Sequence, residues 1–311
     1  MKKLISFMCI SIIFLTGCNS TQVRDREYIQ AIELFNFDSP KISLHSFEKS
    51  NNISSGNGNT IAAALEQAEI PIGKEIFMGH LELLCLNDPK FHEKLYDLME
   101  TYRLSPSCKV LCIDDKLSLD KADTESICDS LKRKEENGTL PKTTILSALE
   151  ESAGADKAIL LPLLTKDGFS MTILSEEKKE MNPLSEEAIQ GLCWLRGENY
   201  PERISIETNN STASDFEIYN ASTHFKIIMW NGAPVVNVII SLQGKGDKES
   251  AKKAIQELCK AAEQETIKLN KVDVIGLESY MKKQCYNAYQ NQNWNELLQH
   301  ATFQYKIDIR S

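Results

Sequence analysis

The sequence predicts an α+β protein: a lipid-anchored body of several mixed α/β units, with largely antiparallel sheets and a long helix near the C-terminus. Three observations carry that reading. Strand-like runs and helix-like runs are mixed along the chain without the regular alternation that builds an all-parallel sheet. Residues 203–243 are strand-rich, with the NGAP turn (231–234) between two strands. Residues 248–270 then read as one long helix.

The individual elements follow in order. YIQAIELF (28–35) and KISLHSFEK (41–49) read as strands joined by NFDSP, a hairpin turn. SNNISSGNGN (50–59) is too polar and glycine-rich for an element and reads as a loop. TIAAALEQA (60–68) has helical character, with Asn59 as N-cap candidate. IFMGHLELLCL (76–86) reads as one apolar strand. Asp88-Pro89 opens a helix that puts Phe91, Leu95, Leu98 and Tyr102 on one face. CKVLCI (108–113) is a strand, followed by helices near 119–136 and 142–152 and a buried strand over 157–164. FSMTIL (169–174) begins a new unit. The helix after it presents Leu184, Ala188, Leu192 and Leu195 inward, carries acidic residues in its first turn and stops at Gly197. A shorter helix near 277–290 and a last strand, FQYKIDIR (303–310), complete the chain. The expected organisation is a leader over 1–17, an N-terminal α/β domain over 18–164 and a C-terminal region over 165–311. The last of these opens with a small middle unit at about 165–200. Whether that unit packs with the first half or the second is open at this level.

Lys2 and Lys3 form a short basic start, and Leu4 to Leu15 is an apolar run broken only by Ser6 and Ser11. Crossing a bilayer takes about 20 apolar residues, so this run suits a secretory signal peptide rather than a span. The signal ends in Leu15-Thr16-Gly17-Cys18, which resembles a bacterial lipobox. The resemblance implies a diacylglyceryl thioether on Cys18 and cleavage just before it. The alternative is an ordinary signal that ends beside a chance cysteine. Two acyl chains, at about 0.8 kcal/mol per buried CH2, hold a protein at a membrane where one chain is marginal. Asn19 to Glu27 reads as a polar tether with a reach of roughly 30 Å.

Loss of the leader takes Lys2 and Lys3 from the 35 basic residues, leaving 33 against 44 acidic ones and a charge of −11. Such an acidic body argues against nucleic acid as a partner and against polybasic binding to anionic lipid. Seven cysteines follow Cys18, at 85, 108, 112, 128, 193, 259 and 285. An odd, scattered set is a poor disulfide framework for an exported protein and suggests a reducing or oxygen-poor setting. Cys108 and Cys112 lie four residues apart on a strand, about 13 Å, too far for two thiolates on one zinc. They read as thiols of the core or surface.

No local pattern announces catalysis. His92-Glu93 begins like H-E-x-x-H, but residue 96 is Tyr96 and the second ligand is missing. There is no G-x-S-x-G elbow and no Walker loop. Asp114, Asp115, Asp120 and Asp123 lack the glycine and glutamate of a calcium loop. His80 sits in the 76–86 run, where a hydrogen-bonded core histidine is the simpler reading than a base. Trp194 and Trp294 read as core aromatics rather than the lining of a site. The expectation is a non-enzyme with no metal and no cofactor beyond the lipid on Cys18.

Read in order, several segments resemble the Ger(x)C family, the lipoprotein C subunits of spore germinant receptors. After the lipobox and the YIQAIELF hairpin comes GKEIFMGHLELLCL, similar to the family's Gly-His segment, here Gly79 and His80. LSEEAIQGLCWLRGE is close to the family pattern of Glu-Glu, Gly, Leu, Trp, Leu and Gly. The matching positions are Glu186, Glu187, Gly191, Leu192, Trp194, Leu195 and Gly197. KVDVIGLESYMKKQ resembles the Asp-x-x-Gly that ends the family's long C-terminal helix, here Asp273 and Gly276, with Trp294 and a closing strand behind it. The chain departs from the pattern in being shorter than most members and in ending at Arg310-Ser311. The resemblance implies structural roles for Gly79, His80, Glu187, Gly191, Trp194, Gly197, Asp273 and Gly276. It also implies a non-catalytic subunit at the outer face of the spore inner membrane, partnered with two membrane-spanning receptor subunits and required for germination by nutrients. Two other classes stay in view. A solute-binding lipoprotein of a transporter expects two similar lobes around a cleft, and an envelope hydrolase expects a catalytic motif.

Overall fold

The computed structural model describes residues 26–47, 53–114, 117, 119, 124–175, 180–206 and 214–310. The expected leader, Cys18 and most of the expected tether lie outside the described residues. The first half of the chain builds β1 (Arg26–Phe35), β2 (Lys41–Ser46), β3 (Ile53–Asn57), β4 (Glu75–Phe77), β5 (Leu83–Leu86), β6 (Lys109–Ile113), β7 (Ile159–Thr165) and β8 (Gly168–Leu174). They form one sheet in the order β3-β2-β1-β5-β6-β7-β8, with β4 beside the start of β1. The helices are α1 (Ile61–Ile72), α2 (Leu95–Tyr102, led by a 3-10 stretch Pro89–Lys94), α3 (Thr124–Glu136) and α4 (Ile145–Ser152).

The side-chain period of two sorts this sheet into two faces. Leu84, Leu86, Val110, Cys112, Ile159 and Leu161 turn to one face, where they meet Ala64 and Leu65 of α1, Phe91, Leu95 and Leu98, and Ile145 and Ala148 of α4. Leu83, Cys85, Leu111, Ile113 and Leu160 turn to the other face, into a core continuous with the second half of the molecule.

The second sheet has the order β12-β11-β10-β9, from β9 (Arg203–Ile206), β10 (Ser214–Trp230), β11 (Ala233–Lys245) and β12 (Thr302–Arg310). The long β10–β11 hairpin turns at Asn231 and Gly232, both at positive φ (49° and 81°), which is the conformation an Asn-Gly hairpin turn takes. Its inner face is covered by α5 (Glu186–Arg196) and α6 (Lys248–Glu263), which continues through a π-helical turn, Gln264–Leu269. Three short helices, α7 (Leu277–Gln284), α8 (Tyr286–Asn291) and α9 (Trp294–Gln299), carry the chain back so that β12 pairs in parallel with β11. The 165–200 stretch is shared between the halves. Its strand β8 pairs with β7 of the first sheet, and its helix α5 packs chiefly on α6.

The mixed α/β class is as expected, and antiparallel pairing supplies most of the paired residues. Several finer readings are corrected. The centre of the first sheet, β1-β5-β6-β7, is parallel, and from β5 to β7 strand and helix do alternate. The 50–59 loop contains β3: Ser54 and Gly56 turn inward, and a Cβ on Gly56 would sit 2.1 Å from the Ala64 carbonyl oxygen of α1. Small, polar residues make that strand because the helix lies directly on its backbone. The cap of α1 is Thr60, whose hydroxyl accepts from Ala63 N at 3.1 Å, not Asn59. The 76–86 run breaks into β4 and β5 around a turn closed by Leu81 N to Met78 O at 3.0 Å. His80 lies in that turn and is exposed, so it is not a core histidine. The expected tether is shorter, because Arg26 and Glu27 belong to β1, and Glu27 is buried with Lys74 Nζ at 3.2 Å. The single helix expected near 277–290 is two, broken at Cys285.

Candidate functional site

The helix α5 carries most of the motif residues, and local rules explain its ends. Ser185 caps it, its hydroxyl accepting from Ala188 N at 3.2 Å. Glu265, in the π-helical turn, accepts from both the Ser185 amide and its hydroxyl. Glu186 and Glu187 occupy the first turn, where the helix dipole favours negative charge, and Glu187 is exposed. Gly197 ends the helix at φ 68°, with its N–H on Cys193 O.

Between those ends the helix is buried on nearly every side, from Ala188 to Leu195 apart from half-buried Gln190. Gly191 faces α6 so closely that a Cβ there would lie 2.0 Å from the Leu258 carbonyl oxygen. Glycine is required because the two helix backbones touch. Trp194 is fully buried, tilted against Tyr200 at 5.1 Å between ring centroids, and its carbonyl accepts from Thr223 Oγ1 at 2.7 Å. Its indole N–H has no hydrogen-bond partner.

Past Trp194 the contacts become polar. Arg196 is nearly buried and pairs with Glu151 of α4 at 2.6 Å, while also donating to Val274 O at 3.2 Å. Asp273 accepts from Gly276 N (2.9 Å), Leu277 N (2.9 Å), Glu278 N (2.6 Å) and Trp294 Nε1 (3.1 Å). It thereby caps α7 and holds Trp294 of α9, and Gly276 supplies the positive φ of 88° that lets the chain turn under it. The Asp273 amide donates to Asp156, and Glu278 accepts from Ala155 N at 3.1 Å. Three polar contacts therefore tie α4 and the loop after it to the second half. They surround a cleft of about 340 Å³ lined by Glu151, Asp156, Arg196, Asp273, Glu278 and Trp294 among others. Burial, with Asp156 adding to it, pushes the Asp273 carboxyl up to about 6. Burial also raises Glu151, against the opposing pull of Arg196.

Each carboxylate named in this cleft is engaged by a neighbour, so the cleft joins the two halves. Asp273 and Gly276 thus meet the end of α5 through Arg196. Gly79 and His80 stand elsewhere, at the start of β1. There His80 stacks on Tyr28 (6.1 Å) and lies 5.6 Å from Phe77, and a Cβ on Gly79 would enter the Phe77 ring at 2.5 Å. Glu151, Asp156 and Arg196 were missed from the sequence. Their partners are distant along the chain, and isolated charged residues carry no local signal.

Among the described residues, no group of three or more His, Cys, Asp or Glu side chains is arranged to hold a metal, and no helix is long and apolar enough to cross a membrane. The seven cysteines from 85 to 285 are free, and burial pushes the Cys108, Cys128 and Cys193 thiols up to about 12, far from reactive thiolates.

Residues 24–166 match the family described as spore germination protein N-terminal domain, and residues 171–310 match spore germination B3/GerAC like, C-terminal. The chain belongs to the Ger(x)C family. The two matched regions meet at the turn between β7 and β8, where the first sheet closes. The crystal structure of the GerBC protein has the same fold, with a TM-score of 0.59 at 14% identity over 90% of this chain and 96% of that one. No curated protein matches the chain. As a Ger(x)C protein it is a C subunit of a germinant receptor, acting in spore germination, and the transporter-type solute binder is not favoured. The family is one of receptor subunits rather than of enzymes.

Proposed function

We propose that this C subunit is a non-catalytic lipoprotein, held by a diacylglyceryl thioether on Cys18 at the outer face of the spore inner membrane. There it assembles with two membrane-spanning receptor subunits. The observation that carries the reading is the Leu15-Thr16-Gly17-Cys18 sequence at the end of a short apolar signal, ahead of two consecutive spore-germination regions. Confinement by two acyl chains raises the effective concentration of the body beside its partners, so that a weak interface suffices.

Replacing Cys18 tests the anchor. Cys18→Ala, labelled metabolically with a fatty acid, is expected to incorporate no label, to leave the membrane fraction or stay uncleaved, and to slow nutrient germination. Label incorporated as in the unaltered chain refutes the anchor. Deleting the gene is expected to block the response to particular nutrients and leave vegetative growth unchanged. A growth defect on one nutrient with normal germination refutes the receptor role.

A further inference from the structure

The second sheet treats its two edges differently. Along β10, β9 covers the start and Ile218 N donates to Glu202 O at 2.8 Å. Further along, the Gln284 amide copies a neighbouring strand: its oxygen takes Ile227 N at 2.7 Å and its nitrogen donates to Phe225 O at 3.0 Å. The opposite edge is β12, nine residues paired with β11 in unbroken register, without proline or bulge. Among the described residues, nothing hydrogen-bonds its outward backbone groups. Such an edge is a template for another strand. Beside it, α6 and β12 enclose a groove lined by Glu257, Lys260, Glu263, Phe303 and Tyr305. The core-side row of β12, Phe303, Tyr305, Ile307 and Ile309, is only half-buried.

The charges select an occupant. Lys306 and Asp308 lie on the solvent side of β12 and pair with each other along the strand at 3.3 Å. We propose that β12 pairs antiparallel with β12 of a second copy of this chain, about a twofold axis at Ile307. Only registers that oppose residues of the same face keep the apolar row on the core side. With the axis at Lys306, two lysines face each other. With the axis at Asp308, two aspartates do, and Lys306 faces Arg310. With the axis at Ile307, Lys306 faces Asp308 twice, Ile307 faces Ile307, and Tyr305 faces Ile309 on the core side. Opposite charges directly across a pair stabilise it and like charges destabilise it; an axis at Ile309 also sets Asp308 against Arg310 but pairs only the end of the strand, so the Ile307 register is the longest one with complementary charges. The two four-stranded sheets become one, and neither β12 edge remains open. This pairing does not depend on the lipid anchor.

The full-length chain in mild detergent, examined by sedimentation, is expected to associate to a dimer as concentration rises. Lys306→Asp or Asp308→Lys alone is expected to weaken it about tenfold, and the double exchange to restore it. All these residues are on the surface, and equal thermal unfolding of the variants checks that the fold is kept. In membranes, Ile307→Cys is expected to give a disulfide-linked dimer on mild oxidation, whereas the unaltered chain gives none. A chain that stays monomeric at every concentration, with no cross-link through Ile307→Cys, overturns the proposal. So does a dimer that single charge reversals leave unchanged.

Discussion

The two ends of α5 meet the rest of the molecule in different ways. From Ala188 to Leu195 the contact is dry: Gly191 lets α6 approach to backbone distance, and Trp194 fills the space beside Tyr200. From Arg196 onward the contact is a polar joint, with Arg196 on Glu151 and Asp273 taking four N–H donors. The dry seam derives its strength from packed area and has little reason to respond to pH. The joint consists of ionisable groups removed from water, so its strength depends on their protonation. One helix thus combines a dry packing seam with a junction whose stability depends on protonation.

The largest expected effect breaks the dry side. Trp194→Ala leaves a ring-sized void in a fully buried site and should cost about 3–5 kcal/mol. Thermal unfolding of the chain without residues 1–17 reads it as a lowered midpoint. An unchanged midpoint with lost germination would make Trp194 part of an interface instead. Next in size, Gly191→Ala should cost about 1–3 kcal/mol, because its methyl meets the backbone of α6 and the helices must part. That loss should appear even though alanine is the better helix former, and a stabilised variant would show that the seam is loose.

The smallest effect sharpens the contrast. The folded state raises the Asp273 carboxyl to about 6 and so favours its protonated form. Its contribution is fully present below the unfolded value near 3.8 and is lost as pH rises through about 6. Stability should therefore fall by roughly 1 kcal/mol per pH unit across that window. Glu151, also raised by burial, acts with the same sign. Asp273→Asn should flatten the slope without removing it, whereas Trp194→Ala should lower stability by a similar amount at each pH. Denaturant midpoints across the window decide this, and parallel slopes for Asp273→Asn and the unaltered chain would reject the assignment.

Short-range signals made much of the fold legible. The helix over 186–196 is bounded by a serine cap and a glycine in the left-handed region, and its inner face shows in the spacing of Ala188, Leu192 and Leu195. The Asn-Gly turn shows the β10–β11 hairpin, and Asp-Pro shows the start of the 3-10 stretch before α2. The errors fall where a neighbour overrides local preference. Strand β3 exists because α1 rests on Gly56, and the 76–86 run breaks at a turn built against Phe77.

By itself the sequence determined the acidic, mixed α/β body, the apolar run that stops at Cys18, most helix limits, and the order of motifs that resembles the Ger(x)C family. Only the tertiary structure decided that β1-β5-β6-β7 run parallel, that Gly191 touches α6, and that Glu151, Asp156, Arg196 and Asp273 share one joint. The physical reason is range. Caps, turns and side-chain periods act within a few residues, whereas strand pairing and the pairing of buried charges join segments as far apart as Asp156 and Asp273. Nothing beside either residue names its partner, and only closure of the core brings them together.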